Sequence, residues 1–113
     1  MQMNVESKDG YLVLQLAGDF NSNEETEGLR AKLKDLAMGQ LNKVIVDLKN
    51  VMYFNSATLG VLISANALFN KNKGKIVFCN PNEDISKIFE ITKLPLVISV
   101  MDNCSEAIAK LKG

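Results

Sequence analysis

Val44-Ile45-Val46-Asp47-Leu48-Lys49-Asn50-Val51-Met52-Tyr53-Phe54-Asn55-Ser56-Ala57-Thr58-Leu59-Gly60-Val61-Leu62 is the stretch whose reading decides the fold. Lys43–Leu48 is dense in apolar β-branched residues, the pattern of a buried strand. A loop through Met52, Tyr53 and Phe54 follows. Asn55 or Ser56 then caps a helix expected to reach about Asn72, with Gly74 ending it. The first turn of that helix is small and polar. Its N–H groups have no intrahelical acceptor, and the helix dipole adds partial positive charge, so it suits a phosphate or an acidic group of a partner. A cap that binds nothing would use the same residues, with Asn55 at the N-cap and Ser56 and Thr58 filling the turn.

Working outward, Met1–Ser7 reads as a short strand and Lys8-Asp9-Gly10 as a tight hairpin turn. Tyr11–Gly18 alternates, with Leu12, Leu14 and Leu16 on one face and Tyr11, Val13, Gln15 and Ala17 on the other. Ser22-Asn23-Glu24-Glu25 has the form of a capping box, Leu29, Leu33 and Leu36 follow at helical spacing, and Gly39 stops the helix. Downstream lie a strand over Lys75–Cys79 and a helix from Pro81-Asn82-Glu83-Asp84 with Ile85, Ile88 and Phe89 on one face. Leu94-Pro95 closes that helix, Leu96–Met101 is the last strand, and Asn103 starts a final helix carrying Ala107, Ile108 and Leu111. The order β-β-α-β-α-β-α-β-α predicts an α/β fold with a mainly parallel sheet and an antiparallel N-terminal edge strand. Right-handed crossovers between strands added in order put every helix on one face, so Gln15, Asp47 and Ser99 are expected to point away from the helices. Within the central helix, Val61, Ala65 and Leu68 form a second apolar stripe beside Leu59, Leu62 and Ile63. Two stripes imply deep burial or a groove for a partner helix.

The 113 residues suit one domain spanning 1–113. Lys plus Arg and Asp plus Glu number 13 each, so there is no concentrated positive field of the kind nucleic acid or an anionic membrane needs. The apolar stretch Leu59–Phe69 is shorter than the roughly 20 residues of a membrane span, and no leader pattern opens the chain, so a cytoplasmic protein is expected. Cys79 and Cys104 are expected as reduced thiols. There is no histidine, which removes the commonest general base and metal ligand. Neither G-x-x-x-x-G-K-[ST] nor G-x-G-x-x-G occurs. A phosphoacceptor role for Asp47 would need an acidic pair and a lysine at other strand ends, and Asp19 stands alone. No enzyme, cofactor or metal is expected.

The stretch from Val46-Asp47-Leu48 to Leu62 resembles the pattern V-D-L, loop, aromatic, D-S-S-G-L-G-V-L of STAS domains, the bacterial anti-sigma factor antagonists. The likeness continues through Lys73-Gly74-Lys75-Ile76-Val77, the helix I-x-x-I-F-E-I-T-K-L from Ile85 to Leu94, and Ser105-Glu106-Ala107-Ile108. Upstream, Gly18-Asp19-Phe20-Asn21 is similar to the family's G-E-L-D. The resemblance implies a STAS fold with helices chiefly on one face. It also implies a partner-switching role: the antagonist binds an anti-sigma factor, often a serine kinase, and phosphorylation of the second serine in D-S-S-G ends that binding by adding negative charge at the helix start.

This chain departs from that pattern. Asn55 replaces the motif aspartate, Ser56 keeps the first serine, Ala57 stands at the phosphoacceptor position, Thr58 replaces the glycine, and Asn21 replaces the aspartate of G-E-L-D. Alanine has no hydroxyl, so phosphorylation at the usual position is chemically impossible, and Ser56 and Thr58 are the remaining acceptors. The resemblance places partner binding on Asn21, Tyr53, Phe54, Asn55, Ser56, Ala57, Thr58, Leu59 and Val61. The expected partner is an anti-sigma factor of the serine-kinase type, or another regulatory or ATPase protein, with the chain a monomer or weak homodimer. A cytosolic STAS subunit of a membrane lipid-transport ATPase is the alternative that Ala57 favours.

Overall fold

A computed structural model describes all residues, Met1–Gly113. β1 (Gln2–Ser7) and β2 (Leu12–Phe20) form the hairpin, closed by a Lys8 N–H bond to the Tyr11 carbonyl at 2.8 Å. Then follow α1 (Asn23–Met38), β3 (Lys43–Phe54), α2 (Ser56–Lys71), β4 (Lys75–Cys79), α3 (Glu83–Thr92), a 3-10 turn (Leu94–Leu96), β5 (Val100–Met101) and α4 (Cys104–Lys112). The sheet order is β1-β2-β3-β4-β5, with β1 antiparallel to β2 and every other pair parallel. The expected α/β layout and antiparallel edge strand are therefore present.

α1, α2 and α3 share one face. Leu29, Leu33 and Ala37 of α1, Leu59, Leu62 and Phe69 of α2, and Ile85 and Phe89 of α3 pack on Leu14, Leu16, Val44, Val46 and Leu48 of the sheet. Each fully buried side chain of this size contributes roughly 1.5–3 kcal/mol of transfer free energy. Both apolar stripes of α2 are used here, since Val61 and Ala65 are buried as well, which is the deep-burial outcome. Ile63 departs from the expected stripe and is 39% exposed.

The expectation that every helix lies on one face is corrected by α4. Its Ala107 and Leu111 cover Ile45, Val77 and Cys79 on the opposite side, and Asp47 points toward this helix. The crossover rule constrains only a helix joining two parallel strands. α4 links no two strands of this sheet, so it can take the face the crossovers left bare. There the Cys79 thiol is pushed well above its ordinary pKa by burial, then by the hydrogen bond to Cys104 and the charges of Cys104 and Asp47.

Two further boundaries differ from expectation, and a third is met by a different residue than expected in the left-handed position. β3 extends through Met52–Phe54, where a loop was expected, because Tyr53 and Phe54 pair with Asp19 and Phe20 after two register shifts. Those shifts put extra residues on β3 and break the alternation that would have marked the strand's end. The expected strand Leu96–Met101 shrinks to Val100–Met101, since Pro95 suits the start of a 3-10 turn and cannot donate to a ladder. Gly74 does help to end α2, but Lys73 takes the left-handed conformation (φ 60°). Gly74 donates to the Phe69 carbonyl and Lys73 to that of Asn70, a Schellman arrangement. A Cβ on Gly74 would lie 2.5 Å from the Asn42 carbonyl oxygen, so close approach excludes any side chain there.

Candidate functional site

The β2 and β3 strands end together at Phe20 and Phe54, whose rings sit 5.6 Å apart, with Phe89 of α3 stacked 6.4 Å beyond Phe54. This buried aromatic base fixes where the chain leaves the sheet for α2. Asn55 is the N-cap: its Oδ1 accepts from the Thr58 N–H at 2.8 Å and lies 2.8 Å from the Thr58 hydroxyl. Asn thus keeps the acceptor oxygen that a capping aspartate would supply, without the charge.

Thr58 is fully buried. Its Oγ1 lies 3.0 Å from the Phe20 carbonyl and 3.1 Å from Thr26 Oγ1, while Thr26 Oγ1 in turn sits 2.9 Å from the Ser22 carbonyl. One hydroxyl hydrogen cannot serve two acceptors, so Thr58 donates to Asn55 or Phe20 and accepts from Thr26 when Thr26 turns toward it. The network locks the start of α2 to the end of β2 and the first turn of α1. Thr58 as a phosphate acceptor conflicts with this placement, because its oxygen has no exposed surface.

The other predicted residues divide by depth. Phe54, Leu59 and Val61 are buried and hold the surface from beneath. Tyr53 is 46% exposed, Asn55 is half-buried, and Ser56, Ala57 and Asn21 are exposed. Asn21 lies one residue beyond the last β2–β3 pair, beside Asn55 at the sheet's end. Its N–H reaches Glu25 Oε1 at 3.4 Å, and Ser22 Oγ accepts from the Glu25 N–H at 3.2 Å. The capping box is therefore present with its return bond shifted to Asn21. Desolvation, the largest single influence, raises the Glu25 pKa, but the Ser22 hydroxyl, the Asn21 N–H and the Met1 ammonium together outweigh it and hold the carboxyl below its ordinary range.

Gly60 and Ile63 are the surface features that the sequence reading did not single out, while Met52 was expected there. Gly60 is exposed with nothing near its missing Cβ, and Ile63 and Met52 are exposed. Together Ser56, Ala57, Gly60 and Ile63 form the outward face of the first two turns of α2, following Met52 and Tyr53. No charged residue occurs from Asn50 to Asn70, a signal that the sequence did offer. The one cavity, of about 250 Å³, lies elsewhere, between α3 and β5, lined by Phe89, Glu90, Pro95 and Asp102 among others. No helix is long and apolar enough to cross a membrane.

Comparison with known proteins agrees with this architecture. Residues 2–107 match the STAS domain family. The anti-sigma F factor antagonist of Paenibacillus polymyxa is 22% identical over 113 residues, covering 99% of this chain and 96% of the relative. The solved structure of the anti-sigma factor antagonist SpoIIAA in its unphosphorylated form superposes with a TM-score of 0.72 at 20% identity, covering 99% of each chain. That of an anti-sigma factor antagonist from Mycobacterium paratuberculosis gives 0.81 at 18% identity, over 99% of this chain and 94% of the other. With the sequential mixed sheet, the helix start after β3 and a family match over nearly its whole length, this chain belongs to the STAS domain family.

Proposed function

We propose that this chain is an anti-sigma-factor-antagonist-like binding domain, not an enzyme. It captures an anti-sigma factor of the serine-kinase type through Tyr53, Asn55, Ser56 and Ala57, with Gly60 and Ile63 continuing the surface and Asn21 at its rim. By doing so it regulates sigma-factor-dependent transcription in the cytoplasm. The observation that supports this most is the uncharged, small-residue face of α2 set on a buried hydrogen-bonded base. Small side chains let a partner approach closely, a fixed backbone costs little ordering on binding, and an exposed tyrosine is a common anchor. Binding of this kind depends on shape and apolar area, so salt is expected to weaken it little.

The switch differs from the family pattern. Ala57 offers no hydroxyl and Thr58 is sealed, leaving Ser56 alone exposed in the first turn. Control of binding therefore does not run through the usual serine position. The same substitution favours a second reading, a STAS subunit seated permanently on a transport ATPase.

The test is calorimetric titration of the purified chain with each serine-kinase-type anti-sigma factor of the source organism. One of them is expected to bind, with Ala57→Glu and Gly60→Arg each weakening it at least about tenfold, an effect of about 1.4 kcal/mol. Both positions are exposed, so neither variant is expected to lose more than about 0.5 kcal/mol of stability, and Gly60→Arg is expected to gain helix propensity. Binding to none of them, or unchanged binding by both variants, would overturn the reading. Mass spectrometry after incubation with the bound kinase and ATP is expected to find no added phosphate, and a stoichiometric mark on Ser56 would refute that part alone.

A further inference from the structure

On the sheet face opposite the docking helix, three elements bring soft and hard donors to one point. Cys79 ends β4, Asp47 is its partner in the β3–β4 register, and Cys104 is the first residue of α4. One ligand atom from each lies within 4.8 Å of the other two, and the two sulfurs are 3.3 Å apart. Asn80 follows Cys79 in the left-handed conformation (φ 58°), which asparagine adopts more readily than most residues. Its Nδ2 donates to Asp47 Oδ1 and to Cys104 Sγ, each at 3.1 Å. The Lys49 N–H also bonds to Asp47 Oδ1, so every hydrogen bond to this carboxylate falls on one oxygen and leaves Oδ2 unbonded.

Asp47 is half-buried, has no ion-pair partner, and faces two sulfurs. The unbonded oxygen reaches solvent and is open to a cation. The geometry points to a binding site for one thiophilic divalent cation of the zinc class, held by Cys79 Sγ, Cys104 Sγ and Asp47 Oδ2, with water completing a tetrahedron. Hard cations such as Mg²⁺ and Ca²⁺ are poorly matched, because they take oxygen ligands almost alone. Metal–sulfur bonds of about 2.3 Å at a tetrahedral angle separate two sulfurs by about 3.8 Å, so the pair opens by about 0.5 Å, within reach of a small rotation at Cys104. Asn80 keeps the carboxylate and the Cys104 sulfur oriented, as hydrogen-bonding neighbours of metal ligands do.

Each thiol gives its proton to solvent as its sulfur bonds the cation, so affinity falls as pH falls. Cys104 and Asp47 are partly exposed and provide the way in, while Cys79 is closed by Ala107 and Leu111. The bound cation ties the first turn of α4 to the ends of β3 and β4.

The experiment titrates the full chain, freshly reduced with a phosphine, with Zn²⁺ against a chromogenic chelator and with Cd²⁺ by ultraviolet absorption. One equivalent is expected to bind, with a cadmium–thiolate charge-transfer band and a raised melting temperature. Cys104→Ser, which keeps a residue suited to a helix start, is expected to abolish the band's second thiolate and lower affinity by about 100-fold or more. Asp47→Asn is expected to lower affinity by about tenfold while leaving the band, and it serves as the second variant if Cys104→Ser folds poorly. A reduced chain that shows no cadmium–thiolate band, or that only closes a Cys79–Cys104 disulfide in air, would overturn the site. So would an affinity unchanged in both variants.

Discussion

On one face of the sheet, α1, α2 and α3 share a single continuous core of 22 buried residues, whereas on the other α4 alone packs on the strands, in a cluster of five. The first three helices are anchored at both ends by strands, so the handedness of the crossover assigns their side. α4 connects no pair of strands in this sheet and settles where apolar surface remains. The chemistry divides along the same line. At the start of α2 the buried hydroxyls are consumed by structure, through Thr26, Thr58 and the Phe20 carbonyl. Beneath α4 two sulfurs and a carboxylate converge, and no lysine or arginine pairs with the carboxylate. The heavily covered face therefore sets global stability and holds the proposed binding surface stiff. The lightly covered face can open locally, and its donors can rearrange.

The largest expected effect tests the heavy face. Phe54→Ala removes the ring between Phe20 and Phe89 and is expected to cost about 3–5 kcal/mol by urea denaturation. Leu111→Ala beneath α4 is expected to cost less, about 2 kcal/mol, because the surrounding helix can collapse into the space. Equal losses at the two sites would break the contrast between the faces. Hydrogen exchange sharpens it, since the amides of α4 are expected to exchange through local opening well before those of α2.

Thr58→Val comes next. It deletes the hydroxyl at nearly constant volume and removes its bonds to Thr26 and to Asn55 or the Phe20 carbonyl, for an expected loss of about 1–2 kcal/mol. An unchanged unfolding midpoint would show that the hydroxyl network is dispensable. The smallest effect belongs to Glu25 at the start of α1. Its folded pKa lies below the ordinary 4.5, so its stabilising contribution is complete above that value and is lost as pH falls through the folded pKa. Glu25→Gln is expected to lower the melting temperature slightly at neutral pH and to leave the acid end, where Glu25 is already protonated, nearly unchanged.

Much of this was legible from local pattern. The Leu12, Leu14 and Leu16 alternation gave β2, and the caps Ser22, Asn55, Asn82 and Asn103 all accept the bonds their positions predict. Phe54 and Val51 were harder to read, since the two register shifts against β2 exist only once the strands are paired. The apolar content of α2 likewise could not say which side faces solvent. Ile63 is exposed while Val61 is buried because α1 lies against one flank of the helix.

The sequence by itself determined the order of elements, the parallel sheet, the family and the absence of a hydroxyl at position 57. Those features are written in short-range periodicity and in the identity of single residues. Only the tertiary structure decided that Thr58 is sealed, that α4 crosses to the other face, and that Asp47, Cys79 and Cys104 converge. Each of these depends on which residues from distant elements meet, and packing settles that without leaving a trace in local spacing.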